Sequence, residues 1–209
     1  MVANGETEMN QLLKQMLLVF MCCLALTGQA IADSLANAVQ AYEAGDYAKA
    51  SKLFRHLAKR GNTIAETDLG LMYSNGQGTP QNLKEAVKWF RMAAERGNAD
   101  AQNWTGIMYE NGQGVPRNYK EAVKWYRLAA EQGIAHAQFK LAGMYEEGEG
   151  VKQSYVVALM WANISASNAQ KGSSIYREAL TNKMTPEQIV EAQELARECT
   201  ANKFKGCRK

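Results

Sequence analysis

The stretch Gly106–Gly133, "GIMYENGQGVPRNYKEAVKWYRLAAEQG", decides the fold, because the chain has already spelled it once: Gly70–Gly97 reads "GLMYSNGQGTPQNLKEAVKWFRMAAERG". Aligned at a step of 36, residues 62–97 and 98–133 agree at 22 of 36 positions, so the repeat has to be read before any single motif. The step carries on into 134–169. Tyr73, Tyr109 and Tyr145 fall in register, as do Gly76, Gly112 and Gly148, then Gly78, Gly114 and Gly150. Ala86, Ala122 and Ala158 continue the column, and so do Trp89, Trp125 and Trp161. A fainter copy precedes them, with Ala50, Leu53, Ala58 and Gly61 one period ahead of Ala86, Trp89, Ala94 and Gly97.

Each unit reads as two helices. In the first, Ala65, Leu69, Met72 and Tyr73 recur at three- and four-residue steps and form one apolar stripe. Gly70 and Gly106 on that stripe cost about 1 kcal/mol of helix propensity against alanine, which points to a close approach of two helix backbones. "NGQGVPRN" breaks the pattern: Asn111-Gly112 and Gly114 permit left-handed backbone, and Pro116 bars a helix just before it. Asn82 and Asn118 are the natural N-caps of the second helix, whose buried face is Ala122, Val123, Tyr126, Ala129 and Ala130, ending at Gly133. A single hairpin cannot bury its apolar face, so the hairpins must stack, each touching its neighbours.

The pattern "LG.MY..G.G", then "KEAVKW…AAE.G", resembles the Sel1-like repeat, a longer-looped relative of the tetratricopeptide repeat. The likeness extends over 62–97, 98–133 and 134–169, with Ala142 in place of the glycine; residues 33–61 ("YEAGDYAKASKLF") resemble an ordinary tetratricopeptide hairpin. "KMTPEQIVEAQELARE" resembles the closing helix of bacterial members: Thr185 caps, Pro186 stands at the first helical position and Gln188 completes a capping box. Residues 170–209 are thus expected to form capping helices and a tail, with Glu187, Glu191 and Glu194 on an exposed outer face. The fold class expected is all-α, an α-solenoid of stacked antiparallel hairpins with a period of 36.

The N-terminal segment 1–32 reads as an export signal. Lys14 precedes the apolar run Met16–Leu26, which is too short for the ~20 residues a membrane-crossing helix needs, and Ala30-Ile31-Ala32 places small residues where a signal peptidase reads. Cleavage is expected after Ala32. Glu6 and Glu8 are out of place in such a region, so translation is read as starting at Met9 in the alternative. The expected location is the periplasm or the medium, with no membrane insertion after cleavage. Cys22 and Cys23 leave with the signal, and the remaining pair, Cys199 and Cys207, is then expected to form a disulfide.

Chemistry is sparse. His56 and His136 lie in different units, without the converging ligands a metal needs. The glycines of "NGQG" follow a helix and lack the Lys-Ser/Thr of a phosphate loop. Lys84, Lys88, Arg91 and their repeats at Lys120, Lys124 and Arg127 alternate with Glu85, Glu95, Glu121 and Glu131, which reads as a solvated face and not as a nucleic-acid stripe. Neither cofactor nor nucleic acid is expected, and the chain is expected to be a monomer and no enzyme. Some cysteine-rich exported relatives are credited with β-lactam binding or hydrolysis, but they carry a disulfide inside each repeat and this chain has none there.

What the resemblance implies is an interaction scaffold whose first helices line a concave groove. The residues expected along it are Tyr42, Thr67, Leu71, Ser74, Asp100, Asn103, Ile107, Glu110, His136, Phe139 and Glu146. The expected occupant is a protein or peptide segment with apolar and basic side chains. A secreted factor engaging a host protein is the rival reading, and a β-lactam-binding or cell-wall-modifying enzyme is the rival of a different class.

Overall fold

Most of the described helix starts are set by short polar side chains that accept from the first free backbone N–H groups. The computed structural model describes residues 34–168 and 172–207, and in it Asp46, Asn62, Asn82, Asn98, Asn118 and Ser154 each accept from the N–H three residues on. The described helices are α1 (residues 34–43), α2 (Tyr47–Lys59), α3 (Thr63–Asn75), α4 (Leu83–Glu95) and α5 (Ala99–Asn111). They continue as α6 (Tyr119–Ala130), α7 (Ala135–Glu147), α8 (Tyr155–Ser167), α9 (Ser173–Thr181) and α10 (Pro186–Ala201). Thr185 and Gln188 close the capping box at the start of α10. The apolar run Met16–Leu26, the start at Met9 and the cleavage site after Ala32 lie outside the described residues.

The chain is all-helical over the described residues and stacks in zigzag order. Each helix from α2 to α8 packs on the next, and the tightest pairs are α3 with α4, α5 with α6 and α7 with α8. Two glycine columns fix this geometry. Gly114 has φ +74°, and a Cβ there would stand 2.3 Å from the carbonyl oxygen of Leu83; Gly78 and Gly150 meet Tyr47 and Tyr119 in the same way. The interhelical loop of each repeat is thereby seated on the first turn of the preceding even helix.

The second column corrects the expectation of two backbones in close approach. A Cβ on Gly70 would come within 2.6 Å of the Phe90 ring, and one on Gly106 within 2.7 Å of the Tyr126 ring. The glycine therefore makes room for an aromatic side chain of the partner helix. In the third hairpin both members change together, because Ala142 faces an α8 that carries Ala162 at the aromatic position.

The C-terminal end breaks the zigzag. α9 packs on α8, and α10 turns back to pack on α8 as well. Cys199 and Cys207, both buried, are joined as a disulfide with Cα atoms 5.1 Å apart. The loop between them places Lys203 and Phe204 in left-handed backbone and lays the Phe204 ring against Gly133, at the end of the second repeat. Among the described residues no helix is long and apolar enough to cross a membrane.

Candidate interaction face

The odd helices stand side by side, tied by polar contacts between residues about one repeat apart. Lys140 on α7 reaches Glu110 on α5 at 2.9 Å, and the Tyr126 hydroxyl of α6 donates to the other oxygen of the same carboxylate. One repeat later Glu146 accepts from Tyr176 of α9 at 2.5 Å and from Lys183 at 2.8 Å. His136 Nδ1 and Asn103 Oδ1 lie 2.9 Å apart, again joining α7 to α5. Near the N-terminal end the Tyr42 hydroxyl donates to Gln77 at 2.9 Å.

These ties set the electrostatics of the face. Burial and the Glu110 carboxylate push the Tyr126 phenol far above its usual range, and burial and Glu146 do the same to Tyr176. Burial would raise Glu146, but the bonds from Lys183 and Tyr176 outweigh it and hold the carboxyl below its ordinary value. Burial and the neighbouring Lys140 lower His136 against the pull of Glu110, which favours its neutral form. The two later carboxylates of the face are thus already satisfied from within the chain.

The earlier pair is not. Asp68 on α3 is pushed up to about 6, by burial first and by the charge of Asp100 on α5 second. Asp100 is exposed, and among the described residues neither carboxylate has a cation within ion-pair distance. Ile64 stands beside them on the first turn of α3, 51% exposed.

The eleven residues expected along the groove divide accordingly. Asp100 is exposed, while Tyr42, Ser74, Asn103, Glu110, His136 and Glu146 are half-buried members of the bonded network or its borders. Thr67 is a correction: it is buried, its hydroxyl donating to the Thr63 carbonyl at 2.8 Å. Leu71 packs into the core around Phe90 and Met108, and Ile107 into the core around Tyr126 and Trp161. Phe139 lies edge-to-face on Tyr176, with ring centres 5.3 Å apart. Sequence reading missed Ile64, Asp68, Lys140, Tyr176 and Lys183. The available signal was a column at step 36, Asp68, Trp104, Lys140 and Tyr176, whose residue type differs in every unit.

Beneath this face runs a buried polar spine. Gln102 donates to the Ala94 carbonyl and accepts from Gln132 at 2.7 Å; Gln138 donates to the Ala130 carbonyl and accepts from Asn168 at 2.8 Å. The first repeat has Glu66 and Arg96 at these positions, ion-paired through one carboxylate oxygen, while the other oxygen is buried without a partner. Among the described residues no three His, Cys, Asp or Glu side chains gather where a metal ion would be held.

A sequence model of the Sel1 repeat matches residues 63–98, 99–134 and 135–169. Among solved structures, the Sel1 repeat protein from Oxalobacter formigenes is 35% identical, with a TM-score of 0.60 over 62% of this chain and 54% of its own. A protective antigen present in uropathogenic Escherichia coli strains, displaying an SLR fold, is 31% identical, with a TM-score of 0.70 over 76% of this chain and 34% of its own. The chain therefore spans about half of one solved relative and about a third of the other. No curated protein matches it.

Proposed function

We propose, from the premise that the chain belongs to the Sel1 repeat family, that it is an exported scaffold which holds a basic segment of a partner protein on its odd-helix face. Sel1-repeat proteins are protein-interaction scaffolds, and the repeat fold is typically non-enzymatic. The observation that carries the finer reading is the uncompensated pair Asp68 and Asp100. Two carboxylates on adjacent helices, one with its pKa raised by burial and by the other, are relieved by an incoming lysine or arginine. Exposed Ile64 adds an apolar contact at the same place. The rigid network around Glu110 and Glu146 supports the reading by pre-organising the surface on which the segment lies.

The apolar run Met16–Leu26 supports a site of action in the periplasm or outside the cell. Likeness to a protective antigen supports a second reading, a secreted factor that engages a host protein by the same face. One experiment separates them. The wild type and an Asp68→Asn, Asp100→Asn variant are used as baits against solubilised envelope and against host-cell extract. A partner taken from the envelope by the wild type alone supports the envelope scaffold. A partner taken only from host extract moves the role outside, and equal capture by both baits sinks the odd-helix face as the binding site.

A further inference from the structure

Basic side chains on α4 and α6 pair with acidic ones of the same helix, and α2 offers them no such partner. On α4, Lys88 pairs with Glu85 at 3.6 Å and Arg91 with Glu95 at 3.2 Å; on α6, Lys124 pairs with Glu121 at 3.6 Å. One period earlier, α2 carries Lys49 at the Glu85 position and Lys59 at the Glu95 position. With Lys52, Arg55, His56 and the cap residue Arg60, its exposed side is cationic from end to end, and the helix contains no acidic residue. At 3.6 residues per turn these side chains fall within an arc of about 140°. Among the described residues, Lys49, Lys52 and Lys59 form no ion pair.

The counterpart lies at the far end of the stack. Glu187, Glu191, Glu194 and Glu198 are all exposed on α10 and, at spacings of four, three and four, share an arc of about 60°. Like charges stacked at i and i+4 destabilise a helix. The two stripes match in length, about 15 Å from Lys49 to Lys59 and about 16 Å from Glu187 to Glu198. Within one chain they do not meet, because α2 packs on α3 and α10 on α8.

We propose that a second copy of this chain covers both stripes, α2 of each protomer lying along α10 of the other in a two-fold dimer. Val190, 51% exposed beside the acidic stripe, is buried by the same contact. The dimer takes the place of the monomer expected from the sequence. It is held largely by exposed charges, so it weakens steeply with salt.

The test is sedimentation of the full chain, with two charge-reversed variants. Expected is a two-chain particle at about 20 mM salt and a single chain at about 300 mM. Lys49→Glu, Lys52→Glu, Lys59→Glu and Arg60→Glu together, and separately Glu191→Lys, Glu194→Lys and Glu198→Lys together, reverse the sign of their stripes and should each sediment as single chains at low salt with unchanged circular dichroism. Their equimolar mixture should recover the two-chain particle, because each new stripe then finds its opposite. Failure of the mixture to recover it overturns the proposal, as does a wild type that stays single at low salt. A single-chain wild type that binds heparin through α2 would assign the basic stripe to a different anionic partner.

Discussion

The first two hairpins and the third are copies of one motif that have diverged wherever their surroundings differ. On the outer side of α4 and α6 stand Lys84 and Lys120, Glu85 and Glu121, Lys88 and Lys124, Arg91 and Arg127, Glu95 and Glu131. At the same positions α8 carries Val156, Val157, Met160, Asn163 and Ser167. The reason is α10, which folds back on α8 and takes its outer side from water, so that Val157 and Met160 are buried. Inside the hairpin the exchange runs the other way, from glycine under an aromatic ring to Ala142 with Ala162. A repeat position is thus set by what covers it, which is water outside α4 and α6, and α10 outside α8.

Restoring the repeat's own lysine to the third hairpin should do the most damage. Met160→Lys buries an ammonium group beneath α10, beside the Cys199–Cys207 bridge, and is expected to cost about 3 kcal/mol. The reciprocal change, Lys124→Met on exposed α6, should stay within about 0.5 kcal/mol. Urea unfolding measures both, and equal costs would mean that α10 does not cover α8 in solution.

The glycine exchange comes next. Gly106→Ala drives a methyl group into the Tyr126 ring and should cost about 2 kcal/mol. In a Tyr126→Ala background, which reproduces the Ala142 and Ala162 pairing, the same methyl should cost at least about 1 kcal/mol less. A double-mutant cycle with no coupling would refute the ring as the reason for the glycine.

The parts of the molecule that were legible in the sequence are those fixed by neighbours along the chain. Asn82 and Asn118 as caps, the glycines of the loops and the capping box at Thr185 depend on residues within a few positions. The odd-helix face was less legible. α3, α5 and α7 each pack on the even helix before and the even helix after them, so polar residues such as Gln102, Thr105 and Gln138 are buried in them. Such helices have no clean polar side from which to infer exposure. Leu71 and Ile107 therefore read as surface anchors although they pack into the core, and Asp68 passed unnoticed. Its partner Asp100 lies one helix away, and a one-dimensional pattern does not register that distance.

The first repeat extends the comparison through its charges. Burial and Asp100 raise Asp68 in the folded chain from the ordinary 3.8 to about 6, so the native state binds the proton more tightly than the unfolded chain. Stability contributed by the protonated form is complete below pH 3.8 and is lost as pH rises through 6. Asp68→Asn escapes that loss. It should match the wild type near pH 3.5 and exceed it by about 1.5 kcal/mol above pH 6, a figure halved because the carboxyl reaches solvent. A constant difference across that range would remove Asp68 from the groove's electrostatics.

The smallest effect expected is at Glu66, where one repeat departs from two. Gln102 and Gln138 each accept through oxygen and donate through nitrogen to a carbonyl eight residues back. Glu66 repeats the first half of that arrangement with Arg96, but its second oxygen has no proton to give unless the carboxyl is neutral. Burial raises its pKa, and Arg96 pulls against that rise. Protonated Glu66 can donate toward the Ala58 carbonyl as the two glutamines do toward Ala94 and Ala130; ionised Glu66 cannot. Glu66→Gln supplies that donor permanently. Below the ordinary carboxyl value of 4.5 the two chains should be equally stable, and as pH rises the variant should pull ahead by about 1 kcal/mol. Thermal unfolding at pH 4 and pH 8 reads the difference. A variant weaker at pH 8 would show that the charge on Arg96 outweighs the missing donor, and that the first repeat replaces the polar pair of its neighbours with an ion pair of greater strength.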